Sequence, residues 1–203
     1  MEKTIWRKRW KTSELLISIL KILGAFSRRL SSPQSISKIW LPSLDDAIEE
    51  VQDSFETEDG ISRVLMVGDR VAAWIGAAPT FGKIIEIHPL LVHPAYEQQR
   101  LGRRLVTHVI AWAQQRGALT LSVSTSDETQ ATSLSGVDLY ENIGDAIANF
   151  HIVKSHPVGF WLKMGFSIIG VLPDVDGIGI PSIMLAQSLL EFRQQNKQER
   201  IFV

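Results

Sequence analysis

Glu86 and His88 stand two residues apart in a run that is otherwise rich in Ile, Leu and Val. Residues 83–92 have the composition of a buried strand, and side chains two apart emerge on the same face of a strand. A carboxylate inside such a strand is costly unless charge or hydrogen bonding compensates. Glu86 is therefore a candidate general base, with His88 as a second proton-accepting or orienting group. A few residues further on come Gln98, Gln99, Arg100, Leu101, Gly102, Arg103 and Arg104. Backbone N–H groups at a helix start, with the helix dipole behind them, attract phosphate oxygens. Glycine lets a ligand approach the backbone, and the three guanidinium groups add positive charge. This loop is a candidate pyrophosphate cradle; the plain alternative is a solvated basic face.

These groups need a strand, a loop and a helix to place them. Leu101, Leu105, Val109 and Ala113 recur every four residues, with Val106 and Ile110 beside them and Gly117 after them. That pattern predicts an amphipathic helix of about four turns with a glycine stop. Upstream, residues 63–67 and 71–77 flank Gly68, Asp69 and Arg70, which reads as a hairpin. Phe81 and Gly82 then turn into the strand of Glu86. A further helix starts near Pro42, with Ser43 or Asp45 as N-cap. Downstream, residues 118–124 alternate as a strand. Residues 125–158 are polar and are predicted to hold helical turns near 141–154, since a structureless stretch of that length is unusual. A helix ends at Gly165, and residues 167–172 and 182–189 read as strands. The reading is compact α/β: a domain over 39–190, a basic amphipathic extension over 1–38 and a polar tail over 191–203.

Composition narrows the function classes. The chain of 203 residues has no cysteine, which removes disulfides and thiol chemistry and fits a reducing, cytoplasmic compartment. Five scattered histidines show no metal-ligand spacing, so no metal is expected. The net charge of −1 conceals an asymmetry: residues 1–38 hold nine Lys and Arg against two acids, and residues 39–203 hold twelve against twenty. An acidic body suits a cationic ligand rather than nucleic acid. The apolar run at residues 15–26 is shorter than the roughly 20 residues a membrane span needs, and Lys21 interrupts it. A docked amphipathic helix is the preferred reading of the extension. A signal peptide and contact with an anionic membrane surface are the alternatives.

The order strand, loop, helix, strand, then Phe160-Trp161-Leu162-Lys163-Met164-Gly165-Phe166, resembles the GNAT N-acetyltransferases. More narrowly, the runs from Glu86 to Val92, Thr132 to Tyr140, His156 to Phe166 and Ile169 to Asp174 are similar to blocks of the aminoglycoside 6′-N-acetyltransferases. The similarity covers residues 40 to about 189 and rests on several motifs in one order. It implies the GNAT fold, a mixed central sheet flanked by helices with splayed parallel central strands. It also implies acetyl-CoA as donor, a primary amine of a small molecule as acceptor, direct transfer in a ternary complex, and a homodimer.

By that resemblance Glu86, with His88, handles the proton of the acceptor amine. The backbone of Leu90, Leu91 and Val92 pairs with the pantetheine and polarises the thioester carbonyl, a fixed N–H donor role. Residues 98–104 hold the pyrophosphate, and Trp161 lies on the cofactor side. Trp161 replaces a tyrosine of the related block, and an indole is not a useful acid. Arg100 stands where the wider family has glycine, a replacement that is tolerable if the backbone there need not adopt a positive φ; the narrower group often lacks that glycine as well. On the acceptor side, Trp40, Phe81, Glu86, Asp127 and Glu128 are the expected substrate contacts. Several acids of the narrower group are missing: Ser124-Thr125-Ser126-Asp127 stands for G-T-D-D, and Ile180-Pro181-Ser182-Ile183 for K-P-D-I. The acceptor is thus expected to be a cationic amine, aminoglycoside-like or smaller. The alternative function is an acyl-CoA-binding regulatory protein with little turnover.

Overall fold

The computed structural model describes residues 19, 49, 51–54 and 58–190. Trp40, the tail and all of the extension except residue 19 therefore lie outside the described residues. The chain divides into two compact units between Ala118 and Leu119.

The first unit contains helical residues 51–54 and three antiparallel strands in the order β1-β2-β3. They are β1 (Ile61–Val67), β2 (Arg70–Pro79) and β3 (Ile84–Val92). The expected hairpin is there, with Gly68 at φ 59° in its turn. A single 3-10 turn (Pro94–Tyr96) follows β3, and then helix α1 (Leu101–Gln115). Leu101, Leu105, Val106, Val109 and Ala113 form its buried face, which is the periodic stripe of the sequence. The helix stops as expected: Gly117 is left-handed at φ 70°, and its N–H donates to the Gln114 carbonyl at 2.9 Å. Ile19, Val51, Met66, Val71, Trp74 and Leu91 form one buried cluster in this unit. Trp74 also anchors a polar chain. Its Nε1–H donates to Ser62 Oγ at 2.8 Å, Ser62 and Ser54 hydroxyls lie 3.2 Å apart, and Ser54 donates to the Val51 carbonyl at 2.9 Å. Since the Ser54 proton is used on Val51, Ser62 is the donor to Ser54. The chain ties helical residues 51–54 to β1 and β2.

The second unit holds β4 (Thr120–Ser126), α2 (Leu139–Ala148), α3 (Val158–Lys163), β5 (Ser167–Leu172) and β6 (Ser182–Ser188). Its strands are antiparallel in the order β4-β6-β5. Leu121, Val123, Ile183 and Leu185 are buried with Val158, Trp161 and Phe166. The helical turns expected near 141–154 are shifted. Helix α2 starts at Leu139, capped by Asp138 accepting from Tyr140 N–H at 3.0 Å, and bends at Asn142. It ends by Asn149, and residues 151–154 return to pair with residues 131–133 instead. Among the described residues no helix is long and apolar enough to cross a membrane.

Candidate active site

Strand β3 presents its chemistry through an irregular register. Ile75 pairs with Leu90 and Ala77 with Ile87, so Gly76 alone faces both His88 and Pro89. That is a β-bulge, with a cis peptide between His88 and Pro89. Ile85, Ile87, Pro89 and Leu91 are buried on one side of the strand, while Glu86, Leu90 and Val92 are half-buried and His88 is exposed on the other. Glu86 and His88 share a face, as expected. They open onto a groove of about 240 Å³ lined also by Asp53, Ser54, Gly60, Ile61, Gly76, Ala77, Ala78 and Thr80. No described residue makes a hydrogen bond or ion pair to the Glu86 carboxylate. Phe81 lies at the β2–β3 turn and is 74% exposed, outside the lining of this groove. The Leu91 side chain belongs to the core cluster, so only its backbone is open to a ligand role.

The loop before α1 turns sharply at Arg100. Its backbone is left-handed, φ 62° and ψ 16°, as is that of Gln98 at φ 60°. The condition for an easy replacement of glycine is therefore not met: the turn into the helix demands this region, and the arginine accepts the strain. Arg100 gives the helix no side-chain cap, and the first helical bond is Arg104 N–H to Arg100 O at 3.1 Å. The N–H groups of Leu101, Gly102 and Arg103 thus have no acceptor within the helix. This donor set, with Arg100, Arg103 and Arg104 around it, fits a pyrophosphate. Relieving the left-handed residue has a measurable consequence. Arg100→Gly is expected to stabilise the fold by about 1 kcal/mol, raising Tm by about 2–4 °C in a thermal melt. A lower Tm would contradict the strain.

In the second unit the expected acceptor contacts separate. Asp127 is 0% exposed. Its oxygens accept from Ala131 N–H at 2.7 Å, Thr132 N–H at 2.8 Å, and the Thr132 and Ser135 hydroxyls at 2.6 Å each. His156 Nε2 lies 3.7 Å away. The His156 ring is held by the Ser126 carbonyl at Nε2 (2.9 Å) and accepts Val158 N–H at Nδ1 (3.3 Å). With its lone pairs engaged and no surface, Asp127 organises the loop over 127–135 rather than meeting a ligand. Glu128, next to it, is half-buried. Burial, and then the Asp176 carboxylate, push its pKa above the usual range. Asp176 is a companion acid to Glu128. Trp161 is 4% exposed and packs edge-on against Phe160 and Phe166, with ring centroids 5.0 and 5.1 Å away. Its side chain is core, which corrects the placement on the cofactor side. Asp53 and Thr80, both on the groove, were not singled out from the sequence. Nothing in a short amphipathic helix says which of its acids faces a neighbouring strand.

A general-base candidate on a bulged strand, followed by a helix with bare N–H groups, is the signature of one class. Residues 27–144 match the Acetyltransferase (GNAT) family, and the chain belongs to it. Its fold is the mixed α/β GNAT fold expected. Among solved structures it is similar to an aminoglycoside 6′-N-acetyltransferase complexed with coenzyme A, at 28% identity, 94% coverage of this chain, 97% of that one, and a TM-score of 0.76. It is also similar to the aminoglycoside 6′-N-acetyltransferase from Enterococcus faecium, at 26% identity, the same coverages, and a TM-score of 0.73. The ribosomal-protein-S18-alanine N-acetyltransferase from Escherichia coli shares the fold alone, at 18% identity, 93% and 94% coverage, and a TM-score of 0.55. No curated protein sequence matches.

Proposed function

We propose that this acetyl-CoA-dependent GNAT acetyltransferase delivers its acetyl group to a primary amine of a cationic small molecule, by direct attack with both substrates bound. The observation that carries the reading is Glu86: a half-buried carboxylate on an open groove, engaged by no described residue. An ammonium has no lone pair to attack with, so it must lose a proton. In this reading Glu86 takes that proton, directly or through one water. The amine nitrogen then bonds to the acetyl carbon, the carbon–sulfur bond breaks, the nitrogen sheds its second proton to solvent, and the departing thiolate takes a proton up. The Leu90 to Val92 backbone supplies donors to the thioester oxygen, and residues 98–104 hold the pyrophosphate. Similarity to aminoglycoside 6′-N-acetyltransferases supports a cationic acceptor.

The test is acetyl-CoA consumption with a panel of amines that includes aminoglycosides. Glu86→Gln keeps the side-chain volume and removes the base. It is expected to lower kcat at least about tenfold, the low end of what a positioned base contributes. An unchanged kcat would remove Glu86 from the chemistry. Tight acetyl-CoA binding with no turnover on any amine would favour the regulatory alternative. The same reading places the enzyme in the cytoplasm as a homodimer. Exposed Ile169 on edge strand β5 and Tyr140 on α2 support the second copy, and light scattering at twice 22.7 kDa would register it.

A further inference from the structure

Helical residues 51–54, which give the Glu86 groove one of its walls, are held to the strands in two ways. Val51 joins the buried cluster of Met66, Val71, Trp74 and Leu91. That contact is apolar and non-directional, so it holds the segment against the strands without fixing its angle. The hydroxyl chain supplies the direction. An indole N–H can only donate, so Ser62 Oγ accepts from Trp74 Nε1 at 2.8 Å. Ser54 Oγ–H donates to the Val51 carbonyl at 2.9 Å, which leaves Ser62 as the donor to Ser54 across 3.2 Å. Ser62 is 8% exposed, stands opposite Gly76 in the β1–β2 pairing, and does not itself line the groove. Gly76 and Ser54 both line it. Ser62 alone satisfies the Trp74 N–H; its onward bond to Ser54 is what reaches the groove.

We infer that Ser62 is a positioning residue for the acceptor amine: through Ser54 it sets how helical residues 51–54 stand against β2 and β3, and so the width of the groove that takes the amine. The inference rests on the acetyltransferase reading above and adds a residue that governs acceptor binding without touching the reacting atoms. Glu86 is on β3, outside the held segment. Loss of the chain therefore moves amine affinity and leaves proton removal in place. The polarity of the chain also fixes what the wall offers. The Ser54 proton is committed to Val51, so the lone pair left on its oxygen can only accept, and it suits an N–H or O–H of the acceptor.

The experiment measures kcat and KM for kanamycin and diaminobutane, drawn from the amine panel, on the full chain with acetyl-CoA. Ser62→Ala should raise the amine KM about three- to tenfold, the scale of one net hydrogen bond, with kcat and the acetyl-CoA KM within about twofold of wild type. Ser62→Thr keeps the hydroxyl and should return the amine KM to within about twofold of wild type. Ser54→Ala breaks the same link while Trp74 keeps its bond to Ser62, and should raise the amine KM even where Ser62→Ala does not fold. Val71→Ala opens the same buried cluster away from the groove and the chain; it should lower Tm and leave the amine KM unchanged. An amine KM that neither alanine variant of the chain moves overturns the inference and leaves the acetyltransferase reading standing. So does an equal rise in Val71→Ala, which would make KM a reporter of stability alone, or a folded Ser62→Thr that binds amine no better than Ser62→Ala. A wild-type protein that acetylates no amine of the panel overturns that reading, and the inference with it.

Discussion

Asp127→Ala is expected to destabilise the protein by about 3–5 kcal/mol, lowering Tm by about 10 °C or more. The carboxylate is the acceptor for two backbone N–H groups and two hydroxyls, all within 2.8 Å. Alanine leaves these donors facing a void, and each buried, unpaired donor carries a desolvation penalty. Asp127→Asn separates charge from volume, since the amide keeps one acceptor but turns an N–H₂ toward other donors. The pH dependence identifies the same group. Burial pushes the Asp127 pKa up, but hydrogen bonds from Ser135 and Thr132 and from the Ala131 and Thr132 N–H groups outweigh it, leaving the group below its usual range. A depressed carboxyl pKa means that the unfolded chain binds the proton more readily than the fold does. The stabilisation is therefore complete above the unfolded value of about 3.9 and is lost as pH falls through the folded value. Urea titrations from neutral pH to below pH 4 should show wild-type stability falling toward that of Asp127→Asn. Parallel curves for the two proteins would contradict this account, as would an unshifted Tm for Asp127→Ala.

Gly76→Ala is expected to cost about 3 kcal/mol, lowering Tm by about 6–12 °C, and to weaken amine binding as well. A Cβ built at Gly76 lies 2.4 Å from the His88 carbonyl oxygen and 3.3 Å from Pro89 Cδ. The first neighbour is backbone and cannot rotate aside, so β2 or the bulge must move. Both Gly76 and His88 line the Glu86 groove, so the displacement reaches the acceptor. Circular-dichroism melts and the KM for the amine are the two readouts. A variant as stable as wild type would show that the bulge gives way without cost.

Much of this architecture was legible because local chemistry and burial agree. The hairpin at Gly68 and the every-four apolar stripe of α1 are each dictated by neighbours within a few residues, and so is the stop at Gly117. Glu86 was legible for the same reason: an acid among Ile and Leu stands out. Asp127 misled because an acid in a polar stretch looks like a ligand contact. Its partners Thr132 and Ser135 were in view, five and eight residues on, but only the fold shows that they close around it. The Arg100 backbone was not legible, since a left-handed conformation is expected at glycine and the tertiary demand of the turn overrode the residue preference. Trp161 reads equally as a wall or as core until Phe160 and Phe166 are seen to enclose it.

The two units differ in when their strands can meet on a ribosome. In the order β1-β2-β3 every antiparallel neighbour is also the next strand in the chain, so the first unit can close its hairpins as soon as they emerge. In the order β4-β6-β5, β4 waits for an antiparallel neighbour made last, beyond α2, α3 and β5. Until then Leu121 and Val123 lack the β6 pairing that the finished unit gives them. The interval of exposure during synthesis, and with it the need for chaperone cover, falls on the half of the protein that carries the Asp127 loop.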